Sequence, residues 1–436
     1  MLVMKFGGTS VGSAQRIKQV AEILPKDNKV VVVLSAVSGA TNALTEIASL
    51  LFSKNHAEAI SRMEDLKKVH LEIANALFAN KSILEDAKAM ILSHFEHLLS
   101  FTQDSFTVHE EKAVLAQGEL LSTALFHFYL KKTGRNSVLL PAMDFMRIDR
   151  ELEPDYFYIK QNLGRLLKAD EEQSIFITQG YICRNVYGEI DNLKRGGSDY
   201  SASLIAAAIG AEELQIWTDI DGMHNNDPRV VEKTAPIHDL SFDEAAELAY
   251  FGAKILHPSS ITPAKRANIP VRLKSTLDPD AEGTLITAAE NGAGVKAVAA
   301  KDGITAIKIK SGRMLLAYGF LRKVFEIFEL HQTPIDMITT SEVAVSLTID
   351  DDSKLELLKS DLSKYGSVEV DENQSIICIV GDFIGKEKGM AGKIFTALED
   401  VPLRMISFGG SRHNVSVLID AKDKKQALTA LNDKLF

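Results

Sequence analysis

A chain of 436 residues exceeds one core of ordinary domain size, so two or three domains are expected, and 46% hydrophobic residues suffice to fill them. The 49 basic and 59 acidic residues leave a net charge of -10, which excludes broad electrostatic attraction to nucleic acid or an anionic membrane; an anionic ligand must meet a local positive site. Two distant cysteines, Cys183 and Cys378, exclude a disulfide framework and a cysteine-built metal centre, and with neither a signal-peptide core nor a membrane-spanning apolar run, a soluble cytoplasmic protein is expected.

Across the first two thirds, short β-branched runs alternate with longer helical patterns, which predicts an α/β fold with helices on both faces of a sheet. Strands are expected at 2–6, 29–35, 137–141, 174–178, 214–218 and 270–274, and 41–129 reads as mainly helical, covering the sheet and one wall of a cleft. Turn-forming residues in 278–294 mark a domain boundary. Beyond it, a strand at 304–311, a helix at 320–331, a hairpin at 335–340 and 343–349 and a helix at 354–365 follow a β-α-β-β-α-β order. The order recurs in a strand at 375–380, a helix at 390–398, strands at 403–408 and 415–419 and a helix at 424–435, but this second copy ends without its last strand. The orphan strand 295–300 completes it, so the first copy is expected to lie inserted within the second. The competing reading is two unrelated hairpins.

Two glycine-rich turns carry positive charge. KFGGTSVGS from Lys5 joins a strand to a helix, and its glycines let backbone approach a phosphate while Lys5 clamps it; an ordinary strand-to-helix turn has the same local pattern. Neither a Walker A loop nor a Rossmann fingerprint occurs in the chain. KRGGSDYS from Lys194 opens an alanine-rich helix at 202–209, with Arg195 able to fork onto a carboxylate or phosphate. Asp199 there either caps the helix, or orders a cation or holds the phosphate-clamping lysine. SAVSGATN offers hydroxyls at Ser35, Ser38 and Thr41, GELLST places Glu119 among apolar helical neighbours, and WTDIDGMHNNDPR is a strand leading into a polar loop, either a nucleotide-base pocket or a long connection. In FGAKILHP, His257 reads as a packing or capping histidine, as does His109, and no histidine pair has metal-site spacing backed by a carboxylate.

Taken together, KFGGTSV, SAVSGATN, GELLST, RGGSDYSA, WTDIDG…DPR and GAKILHP stand in an order that resembles the aspartokinases along nearly the whole chain. The resemblance implies an α/β amino-acid kinase fold, a mainly parallel sheet between helix layers, followed by two ferredoxin-like ACT domains. It implies a catalytic domain at 1–290, a first ACT domain at 303–371, and a second made of 295–302 with 372–436. The implied enzyme is monofunctional, with no appended homoserine dehydrogenase. It transfers the γ-phosphoryl group of ATP to the β-carboxylate of L-aspartate, opening lysine, threonine and methionine biosynthesis.

Carried over by residue, Lys5 and Asp199 are catalytic. Ser35, Thr41, Glu119, Arg195, Gly196, Gly197 and Ser198 bind aspartate, Arg195 on its α-carboxylate and Glu119 on its ammonium. Lys5, Gly7, Gly8, Thr218, Asp219, His224, Arg229, Lys254 and Ile255 bind ATP, which arrives with Mg2+; no structural metal ligated by the protein is implied. His224 stands where tyrosine is common, and Lys194 replaces a common glycine. Met314, Phe320, Leu321, Asp336, Ser341 and Glu342 align with the effector pocket of lysine-sensitive relatives, so lysine is the expected inhibitor, with threonine or no effector the alternatives. A homodimer through the ACT domains is implied as well, and neither nucleic acid nor membrane is an expected partner. A reference aspartate pKa of about 3.9 leaves the attacking carboxylate ionised, so no general base is needed. Kinases acting on glutamate, N-acetylglutamate or a nucleotide monophosphate, and a non-catalytic amino-acid sensor, are the rival readings.

Overall fold

The computed structural model describes residues 1–103, 105–193, 196–252, 256–289, 294–312, 318–382 and 387–436. In chain order come β1 (Leu2–Phe6), α1 (Ala14–Ile23), β2 (Val30–Leu34) and four helices, α2 (Ala40–Phe52), α3 (His56–Leu77), α4 (Lys81–Ser100) and α5 (Val108–Lys132). Next are β3 (Ser137–Leu139), α6 (Tyr156–Ala169), β4 (Ile175–Gln179), the hairpin β5 (Ile182–Arg184) and β6 (Ile190–Asn192), α7 (Gly197–Ile209) and β7 (Leu214–Thr218). β8 (Asp239–Ser241), α8 (Phe242–Tyr250), α9 (Thr262–Arg266), β9 (Val271–Ser275) and β10 (Thr284–Thr287) follow.

Contacts divide the chain into two compact units, the first Met1–Met223 with Ile255–Ala289. Its strands run in the order β3-β4-β2-β1-β7-β9-β10, all parallel to their neighbours except β10, which is antiparallel to β9. β2 reads VVVVL and is buried at every position, the pattern of a central parallel strand covered on both faces. Local chemistry starts the helices where they start. The Ser13 side chain caps α1, and Thr107 with Glu110 forms a capping box for α5. Helices α1 to α5 share one continuous core with β1 and β2, through side chains such as Phe6, Leu44, Phe95 and Phe126.

The second unit is His224–Lys254 with Glu290–Phe436. It contains β11 (Gly294–Lys310), α10 (Phe320–Leu330), β12 (Ile338–Thr340), β13 (Ala344–Ile349), α11 (Leu355–Leu362), β14 (Ser367–Asp382), α12 (Met390–Ala397), β15 (Met405–Phe408), β16 (Asn414–Asp420) and α13 (Lys424–Leu435). Six of these strands form an antiparallel sheet, β12-β13-β11-β14-β16-β15. One hydrophobic cluster lies under α10 and α11 and another under α12 and α13.

Three features differ from the sequence reading. The separate strands expected at 295–300 and 304–311 are one 17-residue strand, because the chain passes Lys301 to Ile304 through a register shift rather than a turn. The boundary segment 278–294 is not all loop, since Thr284–Thr287 pairs with β9. Residues 224–252, expected within one catalytic domain, pack with the second unit: Val298 N–H donates to Asn225 O at 2.8 Å, Asn226 Nδ2 to Leu428 O at 3.0 Å, and Lys296 pairs with Glu244 at 2.9 Å.

Candidate active site

Parallel strands β1, β2, β4 and β7 all end on the same edge of the first unit's sheet, where an open α/β sheet presents its ligand crevice. Lys5, the penultimate residue of β1, lies between Val33 and Ile216. Its Nζ is 2.5 Å from Asp199 Oδ1, with the two side chains only 11% and 17% exposed. Asp199 stands in the first turn of α7, where the helix amides also favour negative charge. This helix begins five residues before the expected 202, because Gly196 turns the chain at φ 66, where a Cβ would lie 2.5 Å from that of Ser260. Gly196 is the N-cap, so the carboxylate of Asp199 serves Lys5 and not the helix end.

The loops after β1 and β2 are laced together. Gly7 N–H donates to Trp217 O at 3.3 Å, Ser35 N–H to Phe6 O at 3.2 Å and Ser38 N–H to Gly8 O at 3.1 Å. Gly8 approaches so closely that a Cβ would stand 2.8 Å from Ala36 O. Glu119 enters from the middle of α5, where Gly118 allows the helix to touch Ala36. Only 4% exposed, Glu119 accepts the Ala36 N–H at 3.1 Å. Burial pushes its carboxyl up to about 7, opposed by that N–H and by the charge of Lys5. Ser122 Oγ donates to Ser35 O at 2.8 Å, fixing the loop from α5 as well.

Ser198 is buried against Gly180, where a Cβ would fall 2.3 Å from its own, and Gly197 follows Gly196 in the same turn. Thr41 is exposed on the first turn of α2. At the end of β7, Thr218 O accepts from Thr276 N–H at 2.8 Å, and Thr218 Oγ1 donates to Asp219 at 3.0 Å. Lys5, Gly7, Gly8, Ser35, Glu119, Ser198, Asp199 and Thr218 therefore gather on one edge.

His224 and Arg229 belong to the second unit. His224 Nδ1 lies 2.9 Å from Thr234 Oγ1, and the Arg229 guanidinium forks onto Asp227 at 2.9 and 2.8 Å. Arg195, Lys254, Ile255 and Met314 lie outside the described residues. Of the remaining effector candidates, Phe320 is buried at the start of α10 and Leu321 is exposed beside it. The Asp336 side chain is buried against Lys301 and the Tyr250 hydroxyl, each at 2.8 Å, while Ser341 and Glu342 are exposed in the turn before β13.

Sequence reasoning missed Tyr181. It turns the chain after β4 at φ 66, unusual for a residue with a side chain, its N–H donates to Ser201 Oγ at 2.8 Å, and its ring reaches the Gly197 turn. Burial first, then the charge of Glu119, pushes its phenol up to about 12. Only the dipeptide Gly180-Tyr181 signalled a turn there, and nothing in it signalled a site. Among the described residues no group of three or more His, Cys, Asp or Glu could hold a metal ion, and no helix is long and apolar enough to cross a membrane.

Residues 1–275 match the Amino acid kinase family and 377–435 match the ACT domain, so the class is an amino acid kinase carrying an ACT module. Lysine-sensitive aspartokinase 3 of Escherichia coli (strain K12) is 34% identical, over 100% of this chain and 99% of its own. The crystal structure of E. coli aspartokinase III in complex with aspartate and ADP (R-state) superposes with a TM-score of 0.84 at 34% identity, covering 100% of both chains. The T-state complex of that enzyme with lysine and aspartate gives the same TM-score and identity, covering 100% of this chain and 99% of the other. The chain belongs to the aspartokinase family. Its reaction is ATP:L-aspartate 4-phosphotransfer, yielding 4-phospho-L-aspartate and ADP.

Proposed function

We propose that Lys5 and Asp199 work as a single unit in phosphoryl transfer, Lys5 offsetting charge on the moving group and Asp199 fixing the lysine ammonium. The observation that carries this reading is their 2.5 Å ion pair at the carboxyl end of β1, beside the buried Glu119. Phosphoryl transfer asks a protein mainly for positioning and charge stabilisation, and an ionised carboxylate nucleophile needs no base. Arg195 grips the α-carboxylate of aspartate and Glu119 its ammonium, with Ser35, Thr41, Gly196, Gly197 and Ser198 orienting the substrate. Gly7, Gly8, Thr218, Asp219, His224, Arg229, Lys254 and Ile255 form the ATP side. Mg2+ would arrive with ATP in this reading and offset phosphate charge, and no structural metal is invoked.

The regulatory half divides into an ACT domain at 303–371 inserted in a second formed by 295–302 and 372–436, after a catalytic stretch at 1–290 of which 224–252 pack within the second unit. Antiparallel pairing of 294–301 with 376–382, alongside β16, supports that division. Lysine is the proposed inhibitor, acting at Met314, Phe320, Leu321, Asp336, Ser341 and Glu342; the E. coli relative is named lysine-sensitive. The protein works in the cytoplasm as a homodimer joined through its ACT domains, at the entry to lysine, threonine and methionine biosynthesis.

A coupled ADP-release assay tests the substrate roles. Glu119→Gln is expected to raise KM for aspartate about tenfold or more with a smaller change in kcat, because it removes a charged contact to the ammonium. An unchanged KM would contradict the assignment. Titrating lysine into the same assay should suppress turnover, and insensitivity would contradict the effector.

A further inference from the structure

The C-terminal sheet repeats itself residue by residue. Gly319 leads into α10 at φ 82 and Gly389 into α12 at φ 84. PIDMI at 334–338 corresponds to PLRMI at 402–406, with Ile338 opposite Leu347 in one hairpin and Ile406 opposite Val417 in the other. By the matching registers of β11 against β13 and of β14 against β16, Lys301, just before the second half of β11, corresponds to Asp371 in β14 and Asp350 to Asp420, while PIDMI and PLRMI match Asp336 to Arg404.

At these equivalent places the charges are exchanged. In the first copy Lys301 Nζ lies 2.8 Å from both Asp336 and Asp350. In the second copy Arg404 pairs with Asp371, while Asp420 pairs with Lys422 at 3.2 Å; hydrogen bonds from Lys422, and to a smaller degree the charges of Lys422 and Arg404, lower its carboxyl. Each copy thus sets basic side chains among carboxylates, but at the matched positions a cation and an anion have swapped strands. Burial differs too: the Asp336 side chain is 1% exposed, whereas Asp371 and Arg404 are 38% and 45% exposed. Asp336 Oδ1 takes both Lys301 and the Tyr250 hydroxyl, while its Oδ2 is buried with no hydrogen-bond partner among the described residues. A buried carboxylate oxygen lacking a donor is costly and favours a charged donor such as an ammonium.

We propose that Lys301 is a tethered competitor for the amino-acid effector, holding Asp336 until the ammonium of a free cationic amino acid displaces it. This rests on the reading of Asp336 as an effector residue. The same carboxylate anchors Tyr250, the last residue of α8, from which the chain runs on to Lys254 and Ile255 of the ATP side. Capture of Asp336 by a ligand therefore loosens Tyr250, and that bond is the link from effector to kinase segment. In the second copy, Arg404 meets an incoming ammonium with like charge, so only the first copy responds.

Lysine titrations of the full chain, by calorimetry and by inhibition of ADP release, test this. Lys301→Met should lower the half-inhibitory lysine concentration about threefold or more, because the competing state no longer draws on the binding equilibrium. Tyr250→Phe should bind lysine at least as tightly as wild type yet reach a smaller maximal inhibition, a split that general loosening of the fold does not produce; it decides the matter if Lys301→Met fails to fold. Arg404→Gln should leave the lysine response unchanged. Wild-type inhibition by lysine with an unchanged or raised half-inhibitory concentration in Lys301→Met would overturn the competitor and leave the effector reading standing. Full inhibition in Tyr250→Phe would overturn the link to α8. Absence of lysine binding to the wild type would overturn both the effector reading and this proposal.

Discussion

Charged residues meet in two ways in this molecule. In the first unit, Lys5, Glu119 and Asp199, far apart in sequence, converge once, at the carboxyl ends of parallel strands, with Glu119 buried and the other pair nearly so. In the C-terminal sheet, a cation meets carboxylates twice, at matching positions of two copies, with the signs exchanged and one version far more exposed. A parallel sheet with crossover helices builds a single convergence point, so each group there depends on the others. A duplicated antiparallel frame offers the same place twice, so one copy can be charged for a ligand while the other keeps a plain ion pair.

The largest effect is expected at the convergence point. Lys5→Ala should lower turnover by about 10^3, the scale for losing one electrostatic stabiliser of a transition state, with circular dichroism unchanged. Glu119 should show the cost of burial there. Its carboxyl is raised from 4.5 to about 7, so the folded chain favours the protonated form; stability is full below about pH 4.5 and declines as pH rises through 7. Glu119→Gln should therefore raise the unfolding free energy by up to about 3 kcal/mol at pH 8 and change it little at pH 4. Urea unfolding followed through Trp217, the single tryptophan and a residue of the first unit, reads this directly. Equal gains at both pH values would show that Glu119 is not a buried, ionised cost.

Smaller effects should separate the two copies of the C-terminal sheet. Asp336→Asn weakens a buried pair and should cost about 1–3 kcal/mol in a calorimetric melt. Arg404→Gln removes the half-exposed counterpart and should cost less than about 1 kcal/mol. Equal costs would erase the distinction.

The sequence made the convergent site legible to different depths. Lys5, Glu119, Ser198 and Asp199 stood in motifs, and the strand 214–218 and helix 424–435 lie where the pattern placed them. The choice between a capping and a lysine-holding Asp199 was not readable, since it turns on where α7 begins, and Gly196 sets that. β5 and β6 went unseen because three-residue strands carry no period, and Tyr181 because its place follows from a left-handed turn. Lys301 fell between the two strands expected at 295–300 and 304–311. Only the matching registers of β11 against β13 and of β14 against β16 make Asp371 its counterpart in the other copy.

The central claim is that Lys5 and Asp199 form one functional unit, and a double-mutant cycle on turnover tests it most directly. Lys5→Ala, Asp199→Ala and the double variant should give strongly non-additive losses, the double falling no further than Lys5→Ala alone. Losses that multiply, or a folded Lys5→Ala variant with wild-type turnover, would contradict it.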